Sequence, residues 1–154
     1  METRANDLKA LQNFHKILVT AMVLFALSGI LIVNFGWNIP RKTSLNTALL
    51  STAIILAILL VGFSYLLFKK KLEEAKMHIE LASRFQGYRI ACILQMGMTV
   101  GPVLFSVISY ILTGNPVFLL IVAILMLNFL NIYPSKRKLV QQLELSNQEA
   151  DLFE

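Results

Sequence analysis

One stretch of the chain decides the fold: residues 45–68, which read LNTALLSTAIILAILLVGFSYLLF. These 24 consecutive residues include no Asp, Glu, Lys or Arg. A helix needs about 20 such residues to cross the hydrocarbon core of a bilayer. The apolar run has no period-two alternation, so it does not fit a strand of a membrane barrel. The stretch therefore predicts a transmembrane helix.

Three further stretches share this character: residues 17–35, 90–112 and 117–133. With residues 45–68 they predict an all-α, polytopic membrane protein built as a four-transmembrane-helix bundle. The composition agrees, because 56% of the residues are hydrophobic and only 15% are charged, against about 25% charged in soluble domains. At 154 residues we expect a single membrane domain. The first stretch lacks an Ala-x-Ala cleavage site, so we expect it to be retained.

Basic residues predict the orientation. The loop between the first two stretches has only Arg41 and Lys42, and the loop between the last two has none. Positive charge in short loops marks the cytoplasmic side. We therefore expect a bacterial inner-membrane protein with both termini in the cytoplasm. The other twelve basic residues lie on the sides that this assigns to the cytoplasm: Arg4, Lys9, Lys16, Lys69, Lys70, Lys71, Lys76, Arg84, Arg89, Lys136, Arg137 and Lys138.

Aromatic residues and turns refine this prediction. Trp37 and Tyr110 are expected at the outer interface, and Tyr65, Tyr88 and Tyr133 at the inner one. The short turn at residues 113–116, which reads TGNP, predicts a tight antiparallel hairpin of the last two spans.

The segments outside the spans also have a predicted structure. The cytoplasmic connector, residues 69–89, reads as helix over 69–86, either prolonging the second span or lying along the headgroups. Pro134 should end the fourth span and open the cytoplasmic tail, residues 134–154, with a short helix around Leu139. The spacing of Ser146 and Glu149 suits a capping box for a final turn. The acidic residues Glu144, Glu149, Asp151 and Glu154 suggest a mobile end.

No ionisable side chain falls within the four predicted spans. Ion-coupled transport normally needs one there, so that class is disfavoured. His15 and His78 lie outside the spans and are expected to be solvated. The single cysteine, Cys92, is expected to pack as a small apolar residue and cannot supply paired-thiol chemistry. We find no catalytic or metal-binding pattern, expect no cofactor, and attribute the net charge of +5 to the membrane surface rather than to nucleic acid.

A polar stripe on the third span is the first candidate site: Gln95, Thr99, Pro102, Ser106 and Ser109 recur at intervals of three and four residues. Interhelical packing is the favoured interpretation, and a polar path for a small solute is the alternative.

The fourth span carries two asparagines, Asn128 and Asn131, on one face. Pro102 leaves the carbonyl of Met98 without its helical donor, and counting from the turn puts Met98 and Asn131 at similar depth. We therefore expect one of the asparagine amides to cap that carbonyl and join the two helices.

Gly97 and Gly101 form a Gly-x-x-x-Gly pair on the third span. Such a pair permits close helix approach. Packing inside the bundle is favoured, and a homodimer seam or a hinge is the alternative.

Basic residues at the predicted inner surface are candidate contacts for anionic lipid, beyond their role in topology. These are Lys69, Lys70, Lys71, Arg84, Arg89, Lys136, Arg137 and Lys138.

Three short motifs carry a family resemblance: Gly-Pro-Val-Leu-Phe-Ser at residues 101–106, Thr-Gly-Asn at 113–115 and Tyr-Pro-Ser-Lys at 133–136. Over residues 84–145 the chain resembles a group of uncharacterised small four-span inner-membrane proteins of Bacteroidota. Members of that group often carry a glutamate just before the Gly-Pro pair, where this chain has Val100. The resemblance implies a four-span fold and no particular activity.

These observations favour a non-catalytic membrane protein that acts as an accessory, assembly or scaffold component. It would do so by packing against other membrane proteins or against itself. The alternative is a small oligomeric channel or uncoupled transporter with the polar stripe facing a pore. A membrane enzyme ranks third, since it would need functional polar residues at the cytoplasmic helix mouths.

Overall fold

A computed structural model describes residues 2–35 and 43–150. The described residues form helices and no strand, which confirms the all-α prediction. A short 3-10 turn, Thr43–Leu45, precedes the second helix. Trp37, Arg41, Lys42, Asp151 and Glu154 lie outside the described residues. The α-helices are α1 (Glu2–Asn34), α2 (Asn46–Lys76), α3 (Leu81–Thr113), α4 (Val117–Asn131), α5 (Lys136–Leu143) and α6 (Asn147–Ala150).

Helix α3 is the centre of the bundle, since α1, α2 and α4 all pack on it. Half of its apolar window is buried inside the protein, whereas only 11% of the corresponding windows of α1 and α2 is buried. Apolar side chains such as Ile58, Leu66, Leu27 and Leu127 instead point away from the protein. Surfaces of this kind suit a surrounding of lipid tails rather than water.

Three helices, α1, α2 and α3, are long and apolar enough to cross a membrane. The predicted fourth span, residues 117–133, is a helix only over Val117–Asn131, which is 15 residues or about 22 Å long. The chain then bends by 70° into α5. Counting α4 and α5 as one bent span gives a fourth crossing. The helix predicted beyond Pro134 is thus present as α5.

The connector prediction was wrong in one respect: residues 69–86 are not a single helix. Helix α2 continues to Lys76, and after a break the chain reverses into α3 at Leu81. The apolar spacing that suggested one helix belongs to two, because Leu72 and Phe85 are buried while Ile79 between them is 100% exposed. Reversal allows both buried residues to pack into the same core cluster.

Close contact between α2 and α3 explains where the chain turns. A Cβ atom added at Gly87 would lie 2.6 Å from the Cβ of Ala75, which is shorter than the closest approach of two nonbonded carbon atoms. The two small residues therefore allow the helix backbones to meet next to the reversal. Gly29 plays the same role between α1 and α3, where an added Cβ would meet Val107 Cγ1 at 2.9 Å.

At the opposite end, the predicted tight turn between the last two spans is present. Gly114 caps α3 in the left-handed conformation with φ 69°, which glycine adopts without steric cost. The Asn115 side chain donates to Asn46 Oδ1 at 2.8 Å and accepts from the Val117 amide at 3.0 Å. It thereby ties the start of α2 to the hairpin.

Candidate functional site

The polar stripe of α3 is buried within the bundle. Gln95, Thr99, Pro102, Ser106 and Ser109 are all among its buried residues. Two of the hydroxyl groups bond their own helix: Thr99 donates to the Gln95 carbonyl at 2.9 Å, and Ser109 donates to the Phe105 carbonyl at 2.8 Å. The stripe is therefore an interior face of α3 whose hydroxyls bond along the helix rather than across to a neighbour.

Ser106 is the exception in this stripe. Its Oγ atom is buried and has no hydrogen-bond partner among the described residues. Serine normally bonds a carbonyl one turn earlier in a helix, as Ser109 does. An unpaired buried hydroxyl carries a free-energy penalty of about 1–3 kcal/mol.

The proposed asparagine cap on Met98 was wrong. Asn128 Oδ1 lies 3.5 Å from the Tyr65 hydroxyl of α2, and its Nδ2 is buried without a partner among the described residues. The side chain of Asn131 is exposed, and its backbone carbonyl accepts from Lys138 Nζ. Equal depth along the helix axes does not determine the rotation of α4 about its own axis. In the structure α4 turns Val122, Leu125 and Phe129 into the core. The two asparagines therefore do not contact α3 at Met98.

The Gly97–Gly101 pair also departs from the favoured prediction of packing inside the bundle. Both glycines are exposed. A Cβ added at Gly97 meets nothing within 4 Å, and one added at Gly101 meets only Leu60 Cδ1 at 3.8 Å. The close helix approaches occur instead at Gly87 and Gly29, neither of which belongs to a Gly-x-x-x-Gly pair.

The basic residues divide into different environments. Lys71 pairs with Glu74 at 2.6 Å, and Arg89 is exposed beside Asp7 in a shallow depression. Lys136 and Arg137 border a second, open depression on α5. Lys69 and Lys138 line a cavity described below, and Lys70 is exposed on α2.

Arg84 is engaged with the protein itself. Its guanidinium donates to the Leu143 carbonyl and lies 3.4 Å from a Glu149 carboxylate oxygen. With only 16% of its side chain exposed, it is poorly placed as the lipid contact that the sequence suggested. It instead holds the end of α5 and the start of α6 on α3.

Of the acidic residues expected in a mobile end, the structure describes Glu144 and Glu149, and each of them has a partner. Glu144 pairs with Lys76 of α2 at 2.6 Å, and this hydrogen bond lowers the pKa of its carboxyl group. Glu149 accepts from the Ser146 amide at 2.8 Å, and that backbone bond is the main cause of its lowered pKa. The predicted capping box is confirmed, because the Glu149 amide also meets Ser146 Oγ at 3.4 Å.

His15 was expected to be solvated, and this too was wrong. It is 2% exposed, with Nε2 3.0 Å from the Phe129 carbonyl and its ring stacked on that of Phe129 at 4.7 Å. The amino-terminal part of α1 continues onto the bundle, with Leu8 and Leu11 buried. The helical spacing of Leu8, Leu11, His15 and Leu18 indicates this face, although it lies mostly before the uncharged run that begins at residue 17.

A cavity of about 370 Å³ lies at the end of the bundle where the lysines cluster. Helix α2 forms one wall, α3 the second, and the bend from α4 into α5 the third. Among the lining residues are two lysines and no carboxylate. The lining residues are Tyr65, Leu66, Phe68, Lys69, Tyr88, Cys92, Gln95, Asn131, Ile132, Lys138 and Gln142.

The deep wall of this cavity brings together residues that the sequence treated separately. Cys92 is buried, as expected, but it borders the cavity together with Tyr88. Gln95 belongs to the polar stripe and also lines the cavity. The stripe thus leads into the one cavity wall that α3 provides.

The described residues contain no group of three His, Cys, Asp or Glu side chains placed to hold a metal ion. Comparison with family models, with curated proteins and with solved structures found no match.

Proposed function

We propose that this chain is a four-span inner-membrane protein that catalyses no reaction and works as an accessory, assembly or scaffold component. Its partner would be another membrane protein or a second copy of itself. The observation that carries the proposal is the open Gly97–Gly101 pair on the outward face of α3.

The outward face of α3 has the composition of a helix-packing surface. The glycines lie between exposed apolar side chains, with Leu94 before them and Leu104 after them. A small-x-x-x-small pair lets a second helix come close enough for backbone and side-chain contacts to hold the pair together in lipid. At Gly87 and Gly29 that space is filled by the chain's own helices, whereas at Gly97 it is empty.

Orientation and crossing number belong to the same proposal. The bent pair α4–α5 supplies the fourth crossing, and the basic residues at the end of α2 and the start of α5 face the cytoplasm. Both termini are then on the cytoplasmic side.

The experiment is purification of the full chain from its native host in a mild detergent, with sizing and mass spectrometry of whatever comigrates. We expect a stoichiometric partner or a homodimer. Replacing Gly97 and Gly101 with leucine should abolish that association, because the leucine side chains fill the groove. A Gly62→Leu variant is the matched control, since Gly62 is also exposed with nothing within 4 Å of an added Cβ but is not part of such a pair. Equal association in both variants would contradict the proposal.

A small channel or uncoupled transporter is the second candidate. It is favoured by Ser106 Oγ and Asn128 Nδ2, two polar atoms inside the bundle that are buried without a partner in the described part of the chain, since a water path would satisfy them. In a Cys92→Ala background, Ser106→Cys should react with an aqueous thiol reagent only if this candidate is right. Solute flux into liposomes that contain the protein alone would replace the packing proposal with this one.

A further inference from the structure

The cavity between α2, α3 and α5 has the charge of an anion site. Lys69 and Lys138 are the only ionised groups among its lining residues, and both are cationic. Lys138 uses one donor on the Asn131 carbonyl, at the last residue of α4. A lysine ammonium has three donors, so this bond positions the group and leaves donors for a ligand.

The interior of the cavity combines a polar amide with apolar walls, so it suits a ligand with both polar and apolar parts. Gln95 is 5% exposed and lines the cavity. Its side-chain amide makes no hydrogen bond to another described residue, and its backbone carbonyl accepts from the Thr99 hydroxyl. A buried amide normally has partners, so a ligand that reaches Gln95 would satisfy it. Phe68 and Ile132 add apolar walls.

The cavity also opens toward the region that lipids occupy. Tyr65 and Leu66 form its border on α2, and both are largely exposed on the outer surface of the bundle. Lys69 is the first charged residue after the 24-residue uncharged stretch, a position that corresponds to the headgroup level. A ligand in this place meets positive charge at headgroup depth and apolar surface below it.

We propose that this cavity is a specific binding site for one anionic phospholipid. Its phosphate contacts Lys69 and Lys138, and its glycerol or ester oxygens accept from the Gln95 amide. The short α4 and the 70° bend into α5 create the space, because the chain turns away from the axis of α4 beside the cavity. This site is separate from the Gly97–Gly101 surface and does not depend on the proposed packing function.

The test is a titration of the purified full chain in mild detergent with phosphatidylglycerol, followed by native mass spectrometry. We expect one phosphatidylglycerol to be retained in preference to phosphatidylcholine. The Lys69→Gln, Lys138→Gln double variant should bind it at least about tenfold more weakly, as expected for losing two charge contacts near a phosphate. Glutamine at position 138 can still donate to the Asn131 carbonyl, so the helix bend is preserved.

The matched control removes the same charge from neighbouring positions that do not line the cavity. Lys70→Gln with Arg137→Gln should leave retention within about twofold of the unmodified chain. Equal loss in the two double variants would mean general surface attraction and would overturn the site. Gln95→Leu should also weaken retention although it changes no charge, and unchanged retention in that variant would count against the site.

Two measurements on the unmodified chain complete the design. Phosphatidylglycerol should protect Lys69 and Lys138 from amine acylation more than it protects Lys70, and uniform protection would contradict the proposal. Inorganic phosphate at the same concentration should give little protection. If phosphate alone protects the two lysines as well as the lipid does, the site takes a soluble anion and the lipid assignment is wrong.

Discussion

At the scale of single residues, the tightest point of the bundle is the contact between Gly87 and Ala75. An alanine at position 87 would place its Cβ 2.6 Å from Ala75 Cβ and 3.2 Å from Ala75 Cα. Since one of these atoms belongs to the backbone, the helices must separate. We expect Gly87→Ala to lower the free energy of unfolding by about 1–3 kcal/mol, measured as thermal unfolding in detergent.

Two variants control for this effect. Gly62→Ala adds the same methyl group where nothing lies within 4 Å, so stability should be unchanged or slightly raised by better helix propensity. Adding Ala75→Gly to Gly87→Ala should recover part of the loss. If Gly87→Ala melts like the unmodified chain, the close approach of α2 and α3 is not as described.

His15 joins the amino-terminal half of α1 to the end of α4. His15→Ala removes the contact of Nε2 with the Phe129 carbonyl and the ring stacking on Phe129. We expect a loss of about 1–3 kcal/mol from the hydrogen bond and the aromatic contact together, read out by thermal unfolding. His78→Ala is the matched control because His78 is exposed, and an equal effect at both positions would refute the role of His15.

At the scale of elements, Arg84 secures the two helices of the tail. Arg84→Gln removes the ion pair with Glu149 and weakens the bond to the Leu143 carbonyl. We expect amide hydrogen exchange over residues 136–150 to become about tenfold faster, since a loss near 1.4 kcal/mol in local stability changes the open population by that factor. Arg89→Gln should leave exchange in the tail unchanged. Arg89 is exposed, and the depression that it lines includes no residue of α5 or α6. Protection that survives in Arg84→Gln would show that apolar contacts alone hold the tail.

The same tail should respond to acid. The pKa values of Glu144 and Glu149 lie below the ordinary value of 4.5 when the tail is docked. Their contribution is therefore complete above pH 4.5 and is lost as the pH falls through the lower pKa values of the docked state. We expect the protection factors of the amides of residues 136–150, which correct for the intrinsic pH dependence of exchange, to fall only below about pH 4.5. A Glu144→Gln, Glu149→Gln variant should have lower protection factors at neutral pH and no further change in them over this acid range, and a step near pH 6 would point to another group.

At the scale of the whole molecule, the proposed topology requires α4 and α5 together to cross the membrane once. We expect both termini on one side of the membrane. Short epitope tags at the two ends, probed with protease in sealed inside-out vesicles, should be cleaved together. Cleavage of only one tag would mean three crossings, with α4 lying on or entering the membrane without passing through it.

Much of the architecture could be read from composition along the chain. A run without charge must lie in lipid or in a core whatever its neighbours are, so the long helices α1, α2 and α3 were predictable. Local chemistry was equally readable in the Gly114 turn and in the capping box of Ser146 and Glu149, because each depends on residues close in sequence.

The tertiary structure decided which face of each helix points where. The same spacing that placed Gln95 and Ser106 on one stripe could not say that the stripe is interior while Gly97 and Gly101 point outward. It also could not say that His15 and Arg84 are held by distant backbone carbonyls. The sequence by itself determines the period of each helix and the length of its uncharged run. The rotation of a helix about its axis follows from packing against other helices, whose contact residues can lie more than a hundred positions away, as for Gln12 with Pro134 and His15 with Phe129.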